Sequence, residues 1–324
     1  MRCKGFSLAP LLLAFLLNAT ALLSQSVRIP VLFDTDIGDD IDDAIALALA
    51  LQSPELDVRG VTTVFGVVDQ RTRLAWKELG LHGRQSVPLA TGAGDPLLDP
   101  PVIQQARQFD VLTDSDTPPG KSRRRAAEFL IETLLASNEK LTLVPVGPLT
   151  NIALALRLEP RIKSKIERIV LMGGAFKRLY SEWNIQRDRA AAQIVFTSGV
   201  PIVAVGLDVT LQCKLETKDL DRLRAAHNPA TQFLVRLIEL WQNGNPSQTP
   251  ILHDPLAVAS VFRSDLIGTE TGSVEVETAS PLTFGMTIFK PSSKGTTRIA
   301  TTVKVRDFVD LLIDRIAAPP RTQF

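Results

Sequence analysis

The chain has 324 residues, 45% of them hydrophobic and 22% charged, so it can bury a core as one large domain or two small ones. Its net charge of +1 carries none of the basic excess that nucleic acid or an anionic membrane surface would call for. Its two cysteines, Cys3 and Cys213, exclude a cysteine-based metal site.

In chain order, the first feature is a signal peptide. Arg2 and Lys4 precede a mostly apolar run from Leu8 to Leu23, which holds Pro10, Asn18 and Thr20 and is short for a membrane span. Ser24 and Ser26 follow, so residues 1–25 are expected to be removed and residues 26–324 to form the mature domain. An uncleaved anchor is the alternative. No cysteine stands near the cleavage region to take a lipid, and export to the periplasm or beyond the cell is the expectation, with no membrane association after removal of the signal. Cleavage would leave 34 basic against 35 acidic residues, and Cys213 without an intramolecular partner.

An apolar run, Val31-Leu32-Phe33, then ends in Asp34-Thr35-Asp36, and a helix-forming stretch follows from Ala44 to Leu51. Val58–Phe65 is predicted as a second strand, Asp69–His82 as a helix with Leu74, Leu79 and Leu81 in the core, and Val87–Ala90 as a short strand. Thr91–Gly120 has few periodic apolar positions and reads as a surface excursion, with a lid over a site as the alternative. Ser122–Ser137 reads as an amphipathic helix, Leu141–Val146 as a strand, Ile152–Leu158 as a helix, Arg168–Met172 as a strand, Arg189–Ser198 as a helix and Pro201–Leu207 as a strand. This alternation predicts an α/β fold, a Rossmann-like open sheet with mostly parallel central strands and flanking helices. The C-terminal part changes character: helices over Lys218–Asn243 and from His253, antiparallel strands over Ser273–Lys290 and Arg298–Val305, and a last helix from Asp307. No linker interrupts the order, so one domain is expected.

The chemistry gathers between the first strand and its helix. Asp34, Asp36, Asp39, Asp40, Asp42 and Asp43 lie within ten residues. Helix capping accounts for two or three of them; the rest repel one another unless protons or a cation neutralise them. An all-oxygen donor set favours Ca²⁺ or Mg²⁺. Further on, Gly147-Pro148-Leu149-Thr150-Asn151 makes a turn at the end of a strand. Met172-Gly173-Gly174 ends another, Glu182-Trp183-Asn184 follows, and His253-Asp254 opens a helix.

Two families place Asp-x-Asp after a first apolar strand. Haloacid-dehalogenase-type phosphatases do, with the first Asp as nucleophile. Nucleoside hydrolases do, and add an Asp-Asp pair at the next helix, as Asp42-Asp43 does here. Four motifs in order, from about Ile29 to about Phe262, resemble the inosine-uridine preferring nucleoside hydrolases. The resemblance implies a Ca²⁺ site made by Asp36, Asp43, Asp254 and the backbone carbonyl of Val146. It implies sugar binding by Asp42, Met172, Glu182 and Asn184, with Asp36 as general base and His253 as proton donor to the leaving base. The implied reaction is hydrolysis of the N-glycosidic bond of ribonucleosides, giving free base and ribose for nucleoside catabolism. The partner is a small nucleoside rather than nucleic acid, and a homodimer or homotetramer is implied.

The chain also departs from the family pattern. Two extra residues separate Gly38 from the Asp pair, leaving Asp39 and Asp40 without an assigned role. Val67 stands where the family has a polar residue, and Phe176, Lys177 and Arg178 occupy the stretch that usually holds a sugar-binding asparagine. Trp241, at the place of a base-stacking aromatic, reads first as core packing. Val67 favours a non-catalytic nucleoside or ribose binder as the first rival reading. A phosphatase of the dehalogenase type is the second, and leaves His253-Asp254 and Asp42-Asp43 unexplained.

Overall fold

The computed structural model describes residues 28–101, 103–118 and 125–321. The predicted signal segment and the first residues of the helix expected from Ser122 lie outside the described residues. The chain begins with β1 (Ile29–Thr35), α1 (Asp42–Gln52), β2 (Leu56–Thr63), α2 (Val68–Leu81), β3 (Leu89–Thr91), α3 (Ala126–Ala136), β4 (Leu141–Pro145), α4 (Thr150–Leu158) and β5 (Ile166–Met172). Then come α5 (Trp183–Arg187), α6 (Arg189–Phe196), β6 (Ile202–Val205), α7 (Leu207–Thr210), α8 (Thr217–Ala225), α9 (Pro229–Gln242) and α10 (His253–Phe262). The last elements are β7 (Ile267–Val276), β8 (Thr287–Pro291), β9 (Thr297–Val303) and α11 (Val305–Ile316).

All nine of these strands join one sheet, in the order β3-β2-β1-β4-β5-β6-β9-β7-β8. Pairings from β3 across to β9 are parallel, and β7 pairs antiparallel with both β8 and β9. Alternate strand residues feed two separate cores, as the two-residue period of a strand requires. Val31, Phe33, Val144, Val170 and Val203 pack with α1, α2, α9, α10 and α11 on one face. Leu32, Leu143, Ile169, Leu171 and Ile202 pack with α3, α4 and α6 on the other. A parallel sheet covered on both faces accounts for the near-continuous apolar strands.

The helix α1 is buried along its whole length, Asp42 and Asp43 included. Its alternation of alanine with isoleucine and leucine puts large side chains on every side, and a helix apolar all round belongs in an interior. It packs against α10, which is buried from Asp254 to Val261 and itself rests on β5 and β6.

Most differences from the expected elements fall at their ends. The C-terminal strands are three rather than two: β7 starts at Ile267, before the predicted Ser273, and a loop separates it from β8. Val305 opens α11 instead of closing a strand. The short helices α5 and α7 were not anticipated, being too brief to show a helical period. Leu81 is half-buried, whereas Leu74 and Leu79 are in the core. Among the described residues no helix is long and apolar enough to cross a membrane.

Candidate active site

The central strands β1 and β4 are neighbours, yet the chain leaves β1 toward β2 and β3 and leaves β4 toward β5 and β6. Open α/β sheets form their ligand crevice at the carboxyl ends of the strands where the order reverses. Asp36 follows β1 and Val146 follows β4, and both line a cavity of about 830 Å³. Also in its wall are Asp42, Asp43, Met172, Glu182, Asn184, His253 and Asp254, so every residue to which the resemblance gives a metal, sugar or catalytic role faces one space.

The first turns of α1 and α10 meet there. Ligand oxygens of Asp42, Asp43 and Asp254 lie within 4.8 Å of one another. The backbone N–H of Asp254 donates to Asp42 Oδ2 at 3.0 Å, and Thr35 Oγ1 donates to Asp43 Oδ1 at 2.5 Å. Two helix N-termini bring positive dipole ends to the cluster, but each adds only about half a charge. Burial, and after it mutual repulsion, pushes the carboxyls of Asp42, Asp43 and Asp254 well above the usual range. Asp36 stands outside this tightest trio. Burial raises its pKa to about 7, against the pull of Arg71. An all-oxygen trio in a wall that also holds Val146 has the donor chemistry of a hard divalent cation.

The sugar-binding candidates are held by backbone. Glu182 caps α5: Oε1 accepts from Asn184 N at 2.8 Å, and Oε2 accepts from Gly174 N and Ile185 N at 3.1 Å each. Its pKa is raised by burial, with those three N–H groups opposing the rise. Asn184 Nδ2 donates to Val146 O at 2.7 Å and to Met172 O at 3.3 Å, joining the ends of β4 and β5. Gly147 must lack a side chain here, since a Cβ would meet Asp36 Oδ1 at 2.5 Å. His253 Nδ1 lies 2.7 Å from Thr210 Oγ1, and burial holds the imidazole pKa down at about 4.

Several parts of the wall had no sequence signal. Gln104 and Arg107 line the cavity, so the Thr91–Gly120 segment is more than a surface excursion. Ala106 and Gln108 are buried, and Gln108 Nε2 donates to the carbonyl of Asp40 at 3.1 Å, which seats this stretch on the acidic loop. Trp241 is not simply core packing: it lines the cavity, where its side chain lies near enough to Asp40 to lower that carboxyl's pKa against the rise from burial. Arg178, Tyr180, Trp183, Leu207 and Leu211 complete the wall. Arg178 thus stands in the stretch that lacks the family's asparagine. Val67 does not line the cavity, and its N–H donates to Gln104 O at 2.9 Å. Asp34 does not line it either. It is buried within β1 itself, accepting from Thr62 Oγ1 and, at 2.7 Å, from Asn151 Nδ2, which removes it as a phosphatase nucleophile.

Arg71 was overlooked entirely. It is fully buried under the acidic loop, donating through Nε to Phe65 O at 2.6 Å, through Nη1 to Ile37 O at 3.1 Å and to Asp36 O, and through Nη2 to Asp39 Oδ2 at 2.7 Å. Gln104 Nε2 donates to the same Asp39 oxygen at 2.8 Å. One of the two extra acidic residues therefore clasps the loop, and the other, Asp40, faces the cavity beside Trp241.

Residues 31–310 match the family model described as inosine-uridine preferring nucleoside hydrolase. The chain belongs to that family. The pyrimidine-specific ribonucleoside hydrolase RihA of Citrobacter koseri is 37% identical over 310 residues, covering 90% of this chain and 99% of that one. Among solved structures, the purine-preferring ribonucleoside hydrolase of Gardnerella vaginalis superposes with a TM-score of 0.80 at 30% identity, covering 89% of this chain and 98% of that one. The inosine-uridine preferring nucleoside hydrolase of Bacillus anthracis gives 0.74 at 25% identity, covering 90% and 99%. This nucleoside hydrolase is therefore an enzyme that cleaves the N-glycosidic bond of ribonucleosides, and the reading as a non-catalytic binder falls away.

Proposed function

We propose that this nucleoside hydrolase works with Ca²⁺ held by Asp36, Asp43, Asp254 and the carbonyl of Val146, with Asp42 adjoining. The observation that carries the reading is the convergence of Asp42, Asp43 and Asp254 from two helix N-termini within 4.8 Å. Carboxylates so close, in a wall with seven carboxylate side chains, are better matched by a divalent cation than by protons alone. When bound, the cation lowers the pKa of a water in contact with it.

Asp36 accepts the proton of the attacking water as general base. The hydroxyl oxygen attacks the anomeric carbon while the glycosidic C–N bond breaks and its electron pair leaves with the base. Positive charge gathers on the sugar, as in other glycoside hydrolysis, and the carboxylates of Asp42 and Glu182 offset it. Met172 and Asn184 complete the sugar's seat. His253, next to Asp254 at the start of α10, hydrogen-bonds the departing base. The N-terminal segment directs the enzyme out of the cytoplasm, so exogenous nucleosides are the substrates.

The test is release of free ribose from uridine, inosine and adenosine by the purified mature chain. Activity should vanish in EDTA, return with Ca²⁺, and fall in Asp43→Ala by more than the roughly 10–100-fold seen for outer-shell changes. Activity indifferent to EDTA would overturn the metal assignment.

A further inference from the structure

His253 lines the cavity through a side chain whose direction is set from outside the metal cluster. Its Nδ1 is 2.7 Å from Thr210 Oγ1, and Thr210 is fully buried at the end of α7. The contact is held by backbone on both sides. Leu252 N donates to Cys213 O at 2.7 Å and Leu215 N to Pro250 O at 3.1 Å, so the residues after Thr210 run beside those before His253. Leu207, one turn before Thr210, is itself tied by its N–H to Gly174 O at 2.9 Å, and both Leu207 and Leu211 face the cavity.

Two hydrogen arrangements fit a hydroxyl against an imidazole nitrogen. If Nδ1–H donated to the hydroxyl, the hydroxyl proton would have no acceptor among the described residues, a costly state for a buried group. The Nε2 lone pair would then be left for the cavity, facing the electron pair that leaves with the base. If the hydroxyl donates to Nδ1, both conflicts disappear, and Nε2 must carry the proton. The bond made at one ring nitrogen thus decides what the other can do.

We propose that Thr210 is a positioning residue for this reaction: its hydroxyl donates to His253 Nδ1 and fixes the neutral tautomer whose Nε2–H hydrogen-bonds the leaving base. The inference rests on the reading of His253 as the group facing the base. As the C–N bond breaks, its electron pair moves onto the base, and the Nε2–H bond stabilises the charge developing on a ring nitrogen or carbonyl oxygen. Solvent supplies the proton that completes the free base.

The test uses the Ca²⁺-loaded mature chain and the variants Thr210→Val, which keeps the shape and loses the donor, and Thr210→Ser, which keeps the donor. Nitrogen-15 NMR of the wild type should show His253 protonated at Nε2, with Nδ1 bare and hydrogen-bonded. Thr210→Val should cut kcat on uridine or inosine about 10²-fold, the low end for losing one hydrogen-bond donor to developing charge, with KM little changed. Thr210→Ser should restore most of it. Hydrolysis of p-nitrophenyl β-D-ribofuranoside, whose leaving group needs no help, should stay within about twofold, since the expected loss belongs to leaving-group assistance alone. Equal losses on nucleoside and nitrophenyl substrate, full nucleoside activity in Thr210→Val, or an Nδ1–H tautomer in the wild type would each overturn the proposal. A wild type inactive on nucleosides would instead sink the substrate reading, and the NMR measurement would still decide the tautomer.

Discussion

At the scale of single residues, Arg71 has the largest unexpected part. A fully buried guanidinium is held by four backbone and carboxylate acceptors around the acidic loop, and one of them, the carbonyl of Phe65, belongs to a residue in the left-handed region with φ of 70°. That conformation costs of order 1 kcal/mol for a residue with a side chain, and the contact to Arg71 helps hold it. Replacing Arg71 with Met leaves Asp39 without its cation and three carbonyls without a donor. Chemical denaturation should show a loss of about 3–5 kcal/mol, the range for removing one partner of a buried ion pair. Arg71→Lys should recover only part of it, because an ammonium cannot span the same fork of acceptors. A loss under about 1 kcal/mol would show that the clasp is not holding the loop.

At the scale of elements, α2 carries a buried acid that the chemistry does not use. Glu78 lies against α1, neither carboxylate oxygen has a hydrogen-bond partner among the described residues, and only the backbone of Ala48 offsets its burial. Burial therefore raises its pKa well above the ordinary value of 4.5. His82, one turn on, has its own pKa lowered by burial and bonds the Glu78 carbonyl through Nδ1 at 3.0 Å. The sign follows from linkage. Above the unfolded pKa the unfolded chain releases the proton while the folded chain keeps it, so stability falls as pH rises from 4.5 toward the folded pKa. Glu78→Gln removes this dependence. Its stability relative to wild type should climb by up to about 1.4 kcal/mol per pH unit across that window. Parallel stability curves for the two proteins would show that Glu78 is not held protonated.

At the scale of the whole molecule, the cluster ties together parts far apart in the chain: the β1–α1 loop, the end of β4 and the start of α10. A ligand that binds only the folded arrangement stabilises all of it by mass action. Calcium at a hundred times its Kd should therefore add about 2.7 kcal/mol to folding, and EDTA should remove it. Asp254→Asn should abolish the calcium-dependent rise in Tm. A Tm that ignores calcium in the wild type would count against a metal shared between these elements.

The motifs that a sequence can show are those whose spacing is local. Asp34 to Asp43, Glu182 with Asn184, and His253 with Asp254 were each legible because a strand end or a helix start puts neighbours in sequence at one end of the sheet. The βαβ alternation was legible for the same reason, since strand and helix periods are short-range. What the tertiary structure alone decided is which distant side chains complete those motifs. Arg71 carries no local signal in its helix, and only the fold seats it, fully buried, under the acidic loop and against the left-handed turn at Phe65. Gln104 and Arg107 lie in a stretch without periodicity, and Thr210 ends a helix too short to recognise. Their roles depend on contacts across more than thirty residues, set by how the loops at the carboxyl ends of the strands fold over the crevice, and no local pattern records that.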